Sequence, residues 1–395
     1  MSRTLASITC LLCVSAIAHA ADVEALDLEP IAVSLSTTGD SGGVDYKDDY
    51  QDTSDCSCKS KVCGCDCICP IVPSMIGDGG LITPLLQFGL PDVTPAFQNH
   101  IYKVAENNSP LPQDRIGFNY NFLHNVYNGT LDGLRVNDDL SEYRLFAEKT
   151  LFCDRLSVDL MIPFYFTSRY DPGDDLLLVG PETDYAFGDI AFGMKYLLHR
   201  SESAALSAGL RVEAPTNDEI TQTGQLNFFY ATVNDDVWHF TPYAALLMTP
   251  SDRFFVQSFL SYRLNSGSLE SEEFGPIRQQ TYLMADASAG YWIYRNPGNR
   301  GLTGIVPTVE LHYTGAFDEE SPDNTVTNTI YGKTDVLNLT AGLTALINDR
   351  TSMAVGVSVP LLDNPTSLPF TTSTVGTDRR YDWALMVNMN YYFGR

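Results

Sequence analysis

The sequence predicts an all-β protein: a transmembrane, up-and-down antiparallel β-barrel of about twelve strands, with a disordered, cysteine-containing N-terminal extension. Two observations support this fold class. From Arg115 to the end of the chain, apolar and polar residues alternate in segments of about 10–14 residues, which is the pattern of β-strands with two different faces. The connections between these segments alternate strictly between long and short, as in an even-stranded barrel with both termini on one side.

The first twenty residues have the features of a secretory signal peptide. Arg3 supplies the positive start, an apolar run continues to about Ala18, and Ala18 and Ala20 form a small-residue cleavage site. Without residues 1–20, 23 Lys and Arg face 49 Asp and Glu, so the formal charge of −25 becomes −26. This acidic balance argues against nucleic acid and anionic lipid surfaces as partners. No later segment approaches the ~20 uninterrupted apolar residues of a transmembrane helix.

The extension divides into three parts before the barrel. Residues 21–55 are acidic and poor in large apolar side chains, which predicts a disordered arm. Residues 56–69 form a cysteine cluster. Residues 70–114 form an irregular pre-barrel segment without clear periodicity, in which GDGG at 77–80 predicts a turn. The barrel is predicted to occupy residues 115–395.

The cysteine cluster leaves three interpretations open. An exported protein meets an oxidising compartment, where six cysteines favour disulfides, in any of 15 pairings. Three C-x-C pairs also suit a soft metal such as Cu(I) or Zn, and a bond to another envelope protein would tie the arm to it. No other cofactor is predicted. The candidate disulfide or metal residues are Cys56, Cys58, Cys63, Cys65, Cys67 and Cys69.

Twelve strand segments are predicted, and they are joined by six long and five short connections. The strands begin with RIGFNYNFLHNV at 115–126 and continue near 142–151, 156–166, 188–198, 203–214, 236–248, 253–264, 281–294, 302–313, 334–347, 351–361 and 380–393.

Each strand is predicted to have one apolar face toward lipid and one polar face toward the lumen. In LSVDLMIPFYF, the residues from Leu156 to Phe166 at even positions are all apolar, whereas the other face carries Asp159. The lumen is either a wet, narrow pore or a barrel whose acids and bases pair and fill it, since twelve strands lie between filled and open barrels. The predicted lumen-lining residues are Asn119, Asn121, Arg144, Glu148, Asp159, Lys195, Arg211, Glu213, Arg263, Asp286, Glu310, His312, Asn338, Asn388 and Asn390.

Two stretches, ENNSPLPQDRIGFNYNFLHNV at 106–126 and FGDIAFGMKYLL at 187–198, resemble planctomycete-type outer-membrane proteins. These proteins are loosely similar to the outer-membrane transporter family associated with phenol degradation. The resemblance covers about residues 105–395. It implies a Gram-negative outer-membrane barrel and solute transport, and it carries over no catalytic residues.

The sequence therefore predicts a passive outer-membrane pore for small solutes and no enzyme. The alternative is a structural or adhesive surface protein that uses the barrel only as a membrane anchor. We expect the barrel in the bacterial outer membrane and the N-terminal arm in the periplasm. The expected partners are outer-membrane lipid, the barrel-assembly machinery and, through the arm, another envelope protein.

Overall fold

The structure is a computed structural model. It describes residues 72–82, 86–87, 90–91, 100–126, 129–131, 134–136, 138–169, 183–216, 220–223, 230–234, 236–271, 275–317, 321–322, 334–362, 365–367, 374–376 and 381–393. The chain divides into two units, Met1–Asp55 and Cys56–Arg395, and all described residues belong to the second. The predicted signal peptide, acidic arm and cysteine cluster lie outside the described residues.

Twelve antiparallel strands, β1 to β12 in chain order, form one closed ring. β4 consists of two consecutive runs, which both pair with β3. The strands are β1 Arg115–His124, β2 Asp138–Leu151, β3 Leu156–Arg169, β4 Thr183–Phe187 with Ile190–Arg200, β5 Ala204–Ala214, β6 His239–Met248, β7 Phe254–Asn265, β8 Tyr282–Tyr291, β9 Leu302–Ala316, β10 Asp335–Ile347, β11 Thr351–Pro360 and β12 Trp383–Tyr392.

Each strand pairs with its neighbours in the chain, and the first and last strands close the ring. β12 pairs with β1 from Trp383 opposite His124 to Tyr392 opposite Arg115. The predicted all-β, up-and-down barrel of twelve strands is thus confirmed. β2 and β3 extend further than predicted, because their pairing continues to Asp138 opposite Arg169.

The connections differ between the two ends of the barrel. The short-turn end has the connections 152–155, 201–203, 249–253, 292–301 and 348–350, together with the start of β1 and the end of β12. The long-loop end has the other six connections. Parts of these long loops pair with one another in a five-stranded and a four-stranded sheet. The predicted alternation of long and short connections is present.

Apolar side chains cover the outer face of the ring, and polar side chains point inward. In β3, Val158 and Phe166 are exposed, whereas Ser157 is fully buried. Val309 at the middle of β9 has 54% of its surface exposed, and its neighbour Glu310 has 1%. A barrel with an apolar exterior and a polar interior suits a bilayer on the outside. The described residues contain no helix that is long and apolar enough to span a membrane.

Pro307 lies inside β9, although a proline cannot donate to the hydrogen-bond ladder. The pairing of β8 with β9 ends at Gly290 opposite Thr308. It resumes on the short-turn side, where Tyr294 lies opposite Ile305. The missing N–H of Pro307 therefore coincides with an interruption of the ladder, and the strand continues through it.

The barrel interior contains a part of the chain that precedes β1. We call residues 72–82 and 100–114 the internal segment. Its two parts pair at Leu81 opposite Ile101 and Ile82 opposite His100. The internal segment contacts all twelve strands, which is possible only from a position inside the ring. The contacted wall residues, one on each strand from β1 to β12, are Asn119, Arg144, Tyr165, Lys195, Ser207, Tyr243, Gln257, Asp286, Glu310, Asn338, Gly356 and Asn388.

Candidate functional site: the barrel lumen

The structure places the predicted lumen-lining residues on the inner face of the ring. Asp159 is half-buried, and its carboxylate lies against Gly193, where a Cβ would be only 2.0 Å from Asp159 Oδ2. The other fourteen are buried. Most contact the internal segment or one another, and their contact with a passing solute stays a prediction.

Glu310 holds the main chain of the internal segment. Its two carboxylate oxygens accept hydrogen bonds from the backbone N–H of Ile76, at 2.9 and 3.0 Å, and one of them accepts the N–H of Gly77 at 2.9 Å. Ser288 donates to the other side of the same carboxylate at 3.0 Å. A charged acceptor bound by several donors makes a strong anchor in a buried setting.

Lys103 supplies a cation to the acidic side of the lumen. Its Nζ lies 2.8 Å from Asp78 of the internal segment and 3.4 Å from Asp286 on β8. His312 lies between the wall carboxylates, with Nδ1 2.8 Å from Asp286 and Nε2 3.3 Å from Glu310. All five side chains are buried, so their charges and hydrogen bonds depend on one another.

Glu106 supplies an anion to the basic side of the lumen. It forms an ion pair with Arg144 on β2, which also lies 3.4 Å from Glu142 on the same strand. Glu142 in turn lies 3.2 Å from His100 Nδ1. The internal segment therefore presents opposite charges to different strands of the wall.

Asn107 and Asn108 connect the internal segment to the short-turn half of the wall. Asn107 donates a hydrogen bond to Asn119 at 2.7 Å, and it both donates to and accepts from the side chain of Asn390. Asn108 accepts a hydrogen bond from Lys195 at 2.9 Å. Lys195 also lies 3.0 Å from Glu148, so wall charges and segment amides form one continuous network.

Apolar contacts with the internal segment explain two aromatic residues on the otherwise polar face of β7. Phe259 packs against Met75 and Val104 of the segment. Phe255 belongs to a cluster with Val72 nearer the short-turn end. These rings lie on the polar face because the internal segment covers them there.

Three glycines of the internal segment adopt backbone conformations that require the absence of a side chain. Gly77, Gly79 and Gly80 have φ values of +100°, +82° and +73°, a region that other residues rarely adopt. At Gly80, a Cβ would lie 2.4 Å from the carbonyl oxygen of Ile101. The chain forms no turn or bend at 77–80, so the turn predicted for GDGG is wrong, and Asp78 of this stretch contacts Lys103.

Asp114 fastens the internal segment at the short-turn end, just before β1. Its carboxylate accepts hydrogen bonds from Lys149, and from the N–H and hydroxyl of Thr150 at 2.6 and 2.7 Å. Its carbonyl accepts the N–H of Phe393 at 3.0 Å. Partial burial raises the pKa of Asp114, but these hydrogen bonds outweigh it and hold the pKa below its ordinary value. This contribution to stability is present above the pKa of the unfolded chain and is lost as the pH falls.

Two cavities border the internal segment. One, of about 20 Å³, is lined by polar groups of the segment and wall that include Asn107, Arg115 and Asp159, and it is large enough for about one water molecule. The other, of about 290 Å³, lies at the short-turn end beside Val72 and Trp292. The two share no lining residue, and the internal segment lies against both.

Sequence reasoning missed several residues of the lumen. Glu142 shares the inward parity of Arg144, so the alternation of the strand could have indicated it. Asp78, Lys103 and Glu106 belong to the aperiodic segment, where no comparable signal exists. The six candidate cysteines lie outside the described residues. Within the parts of the chain that the structure describes, no group of three or more His, Cys, Asp or Glu side chains could hold a metal ion.

A closed ring of twelve antiparallel strands with an apolar exterior and a charged interior defines an outer-membrane type of β-barrel. No protein-family model and no curated protein matches the chain. Among solved structures, the chain is similar to the COG4313 outer membrane channel from Pseudomonas putida F1, at 15% identity and a TM-score of 0.52, over 72% of this chain and 97% of that one.

Two further solved barrels have lower structural similarity. The toluene transporter TodX from Pseudomonas putida has 8% identity and a TM-score of 0.36, over 72% of this chain and 89% of that one. The KdgM porin has 11% identity and a TM-score of 0.34, over 70% of this chain and 99% of that one. At such identities, the similarity to the COG4313 channel shows a shared fold.

Proposed function

We propose that the protein is a passive outer-membrane pore for small solutes, with the barrel lumen as its path. The observation that carries this proposal is the content of the lumen: the ring is wide enough to hold two lengths of polypeptide, 72–82 and 100–114. The wall meets them with charged and hydrogen-bonding side chains. An interior of this polarity suits water and small solutes once the segment is displaced, as in other outer-membrane barrels.

The fold shared with a solved outer-membrane channel supports the same proposal. In the arrangement proposed here, the barrel lies in the bacterial outer membrane and contacts its lipid through the outer face, after insertion by the barrel-assembly machinery. The short-turn end faces the periplasm, as is usual for outer-membrane barrels. The N-terminal arm is then also periplasmic, where another envelope protein could bind it.

The internal segment narrows the path. A solute larger than water needs more room than the cavity of about 20 Å³ between the internal segment and strands β1, β2, β3 and β5 offers. Passage therefore requires the segment to shift, and its hydrogen bonds to the wall set the free energy of that shift. The pore is proposed to conduct in proportion to the time the segment spends displaced.

Single-channel recording in planar bilayers tests this proposal with two matched glycine variants. Gly80→Val forces a β-branched residue into a positive φ and against the Ile101 carbonyl. Such strain is on the order of 1–3 kcal/mol, so we expect the open time to increase about tenfold or more. Gly298→Val places the same residue at a similar φ of +77° in a short-turn connection, with nothing within 4 Å, and should leave conductance unchanged.

Two results would count against the proposal. A correctly folded barrel that conducts no ions in either variant would remove the pore and leave the membrane anchor. An equal increase in Gly298→Val would mean that the internal segment does not control the path.

A further inference from the structure

The wall binds the internal segment mainly through groups that every polypeptide carries. Along 76–78, Glu310 accepts two main-chain N–H groups, Asn388 donates to the carbonyl of Ile76 at 2.9 Å, and Thr340 donates to that of Gly77 at 2.9 Å. Wall side chains also donate to the main-chain carbonyls of Pro73, Asp78, Lys103, Asn107, Ser109, Pro110 and Leu111.

Wall groups of opposite charge contact neighbouring residues of the internal segment. Lys103 contacts both kinds, because its Nζ lies 3.4 Å from Asp286 on β8 while its carbonyl accepts a hydrogen bond from Arg211 on β5 at 3.3 Å. Three residues later, Glu106 pairs with Arg144 on β2. One side of the wall therefore faces an ammonium group and the other faces a carboxylate.

The wall also has hydrogen-bonding capacity that the internal segment does not use. Within the described residues, the buried atoms Arg211 Nε, Asp286 Oδ2 and Asn388 Oδ1 have no hydrogen-bond partner. These atoms belong to the basic side, the acidic side and the main-chain-binding part of the wall. A buried polar group without a partner is costly, so each is a place where a ligand would gain a hydrogen bond.

We propose that the lumen wall is a binding site for short peptides with free termini, a solute class for the pore proposed above, on which this inference rests. The peptide ammonium takes the place of the Lys103 ammonium at Asp286, and its carboxylate takes the place of Glu106 at Arg144 and lies beside Arg211. Its amides take the positions of the segment's main chain. The internal segment is then a tethered competitor that occupies the site until it shifts.

The main-chain contacts argue for this solute class over sugars or hydrocarbons. A peptide reproduces the alternating N–H and C=O groups that Glu310, Asn388 and Thr340 bind, as in other main-chain recognition. A neutral sugar offers hydroxyl groups but no charged ends, and a hydrocarbon would leave the wall's charges without partners.

The experiment uses the full mature chain carrying Gly80→Val, folded in detergent, and isothermal titration calorimetry with three probes. These are tetraalanine with free termini, tetraalanine with acetylated and amidated termini, and maltotriose. We expect free tetraalanine to bind at least about tenfold more tightly than the capped peptide, since a charge-assisted hydrogen bond contributes about this much, and maltotriose to bind most weakly. Asp286→Asn or Arg211→Gln should remove most of the advantage of the free termini.

The outcomes separate this inference from the pore proposal. Equal affinity for tetraalanine and maltotriose would overturn the peptide site, even if the channel conducts. Peptide binding by a barrel that does not conduct would instead leave the site in place and overturn the pore. The comparison among probes requires no wall variant, so it remains decisive if Asp286→Asn does not fold.

Discussion

At the scale of single residues, the lumen charges are stabilised as groups and not as isolated pairs. Glu148 on β2 accepts hydrogen bonds from Arg115 at 2.8 Å, Lys195 at 3.0 Å and Ser157 at 2.7 Å. The adjacent residue, Lys149, points outward at the rim with 57% of its side chain exposed. Two neighbours in one strand thus have very different electrostatic environments.

These neighbours give a matched pair of variants. Glu148→Ala leaves two cations buried without their anion, and breaking a buried ion pair costs about 3–5 kcal/mol. Lys149→Ala removes an exposed pair with Asp114 and should cost about 1 kcal/mol or less. Urea unfolding of the barrel in detergent measures both. Similar losses for the two variants would indicate that water reaches Glu148 and screens the network.

Residue facing was predictable where a strand alternates, and residue partners were not. The parity of β9 indicated that Glu310 points inward. It gave no indication that Glu310 binds the N–H of Ile76, because the two residues are 234 positions apart. The partner also lies in a stretch with no periodicity, where the glycine-rich run at 77–80 was the only local signal.

At the scale of elements, the internal segment behaves as an additional layer of the core. Tyr102 stacks on Tyr165 of β3, with ring centroids 6.3 Å apart. Ile76 reaches β10 and β11 at Gly342 and Gly356, where a Cβ would lie 2.3 and 2.9 Å from its side chain. The wall therefore has glycines where the side chain of Ile76 packs against it.

Amine labelling followed by mass spectrometry measures how long the segment stays inside. Lys103 has 1% of its side chain exposed, and Lys149 on the outer rim has 57% exposed. We expect Lys103 to react at least about tenfold more slowly, because it reacts only when the segment opens locally. Lys195 on the wall is equally buried, but it donates to residues 108–111 of the segment, so its labelling reports the part of the segment next to β1. Fast labelling of both amines in a folded barrel would place the whole segment outside the lumen for much of the time, and fast labelling of Lys103 alone would place only the part around Lys103 outside it.

At the scale of the whole molecule, the alternation of side chains gives the wall two different faces, an apolar outer face and a polar inner face. The outer face exposes residues such as Val355 at the middle of β11 and Leu361 just beyond its end. The charged residues are concentrated inside and in the loops. This division was predictable from the sequence, because period-2 patterning and loop lengths are local properties. Both can be read from the sequence without knowledge of distant contacts.

A depth comparison tests whether the outer face meets lipid. Arginine at the bilayer midplane costs ~2–4 kcal/mol, and near the interface it costs ~0–1 kcal/mol. Val355→Arg should therefore impair folding into liposomes much more than Leu361→Arg, with Val355→Leu as a control for packing. Folding yield and urea unfolding report the difference. Equal effects of the two arginines would contradict a membrane position for β11.

The seam between β1 and β12 has a consequence for biogenesis. It joins the first and last strands of the ring, so it forms only after the whole barrel has been synthesised, and such non-local pairing is intrinsically slow. The internal segment runs directly into β1. Closure of the seam therefore encloses the internal segment, and the completed ring holds residues 72–82 and 100–114 in its lumen.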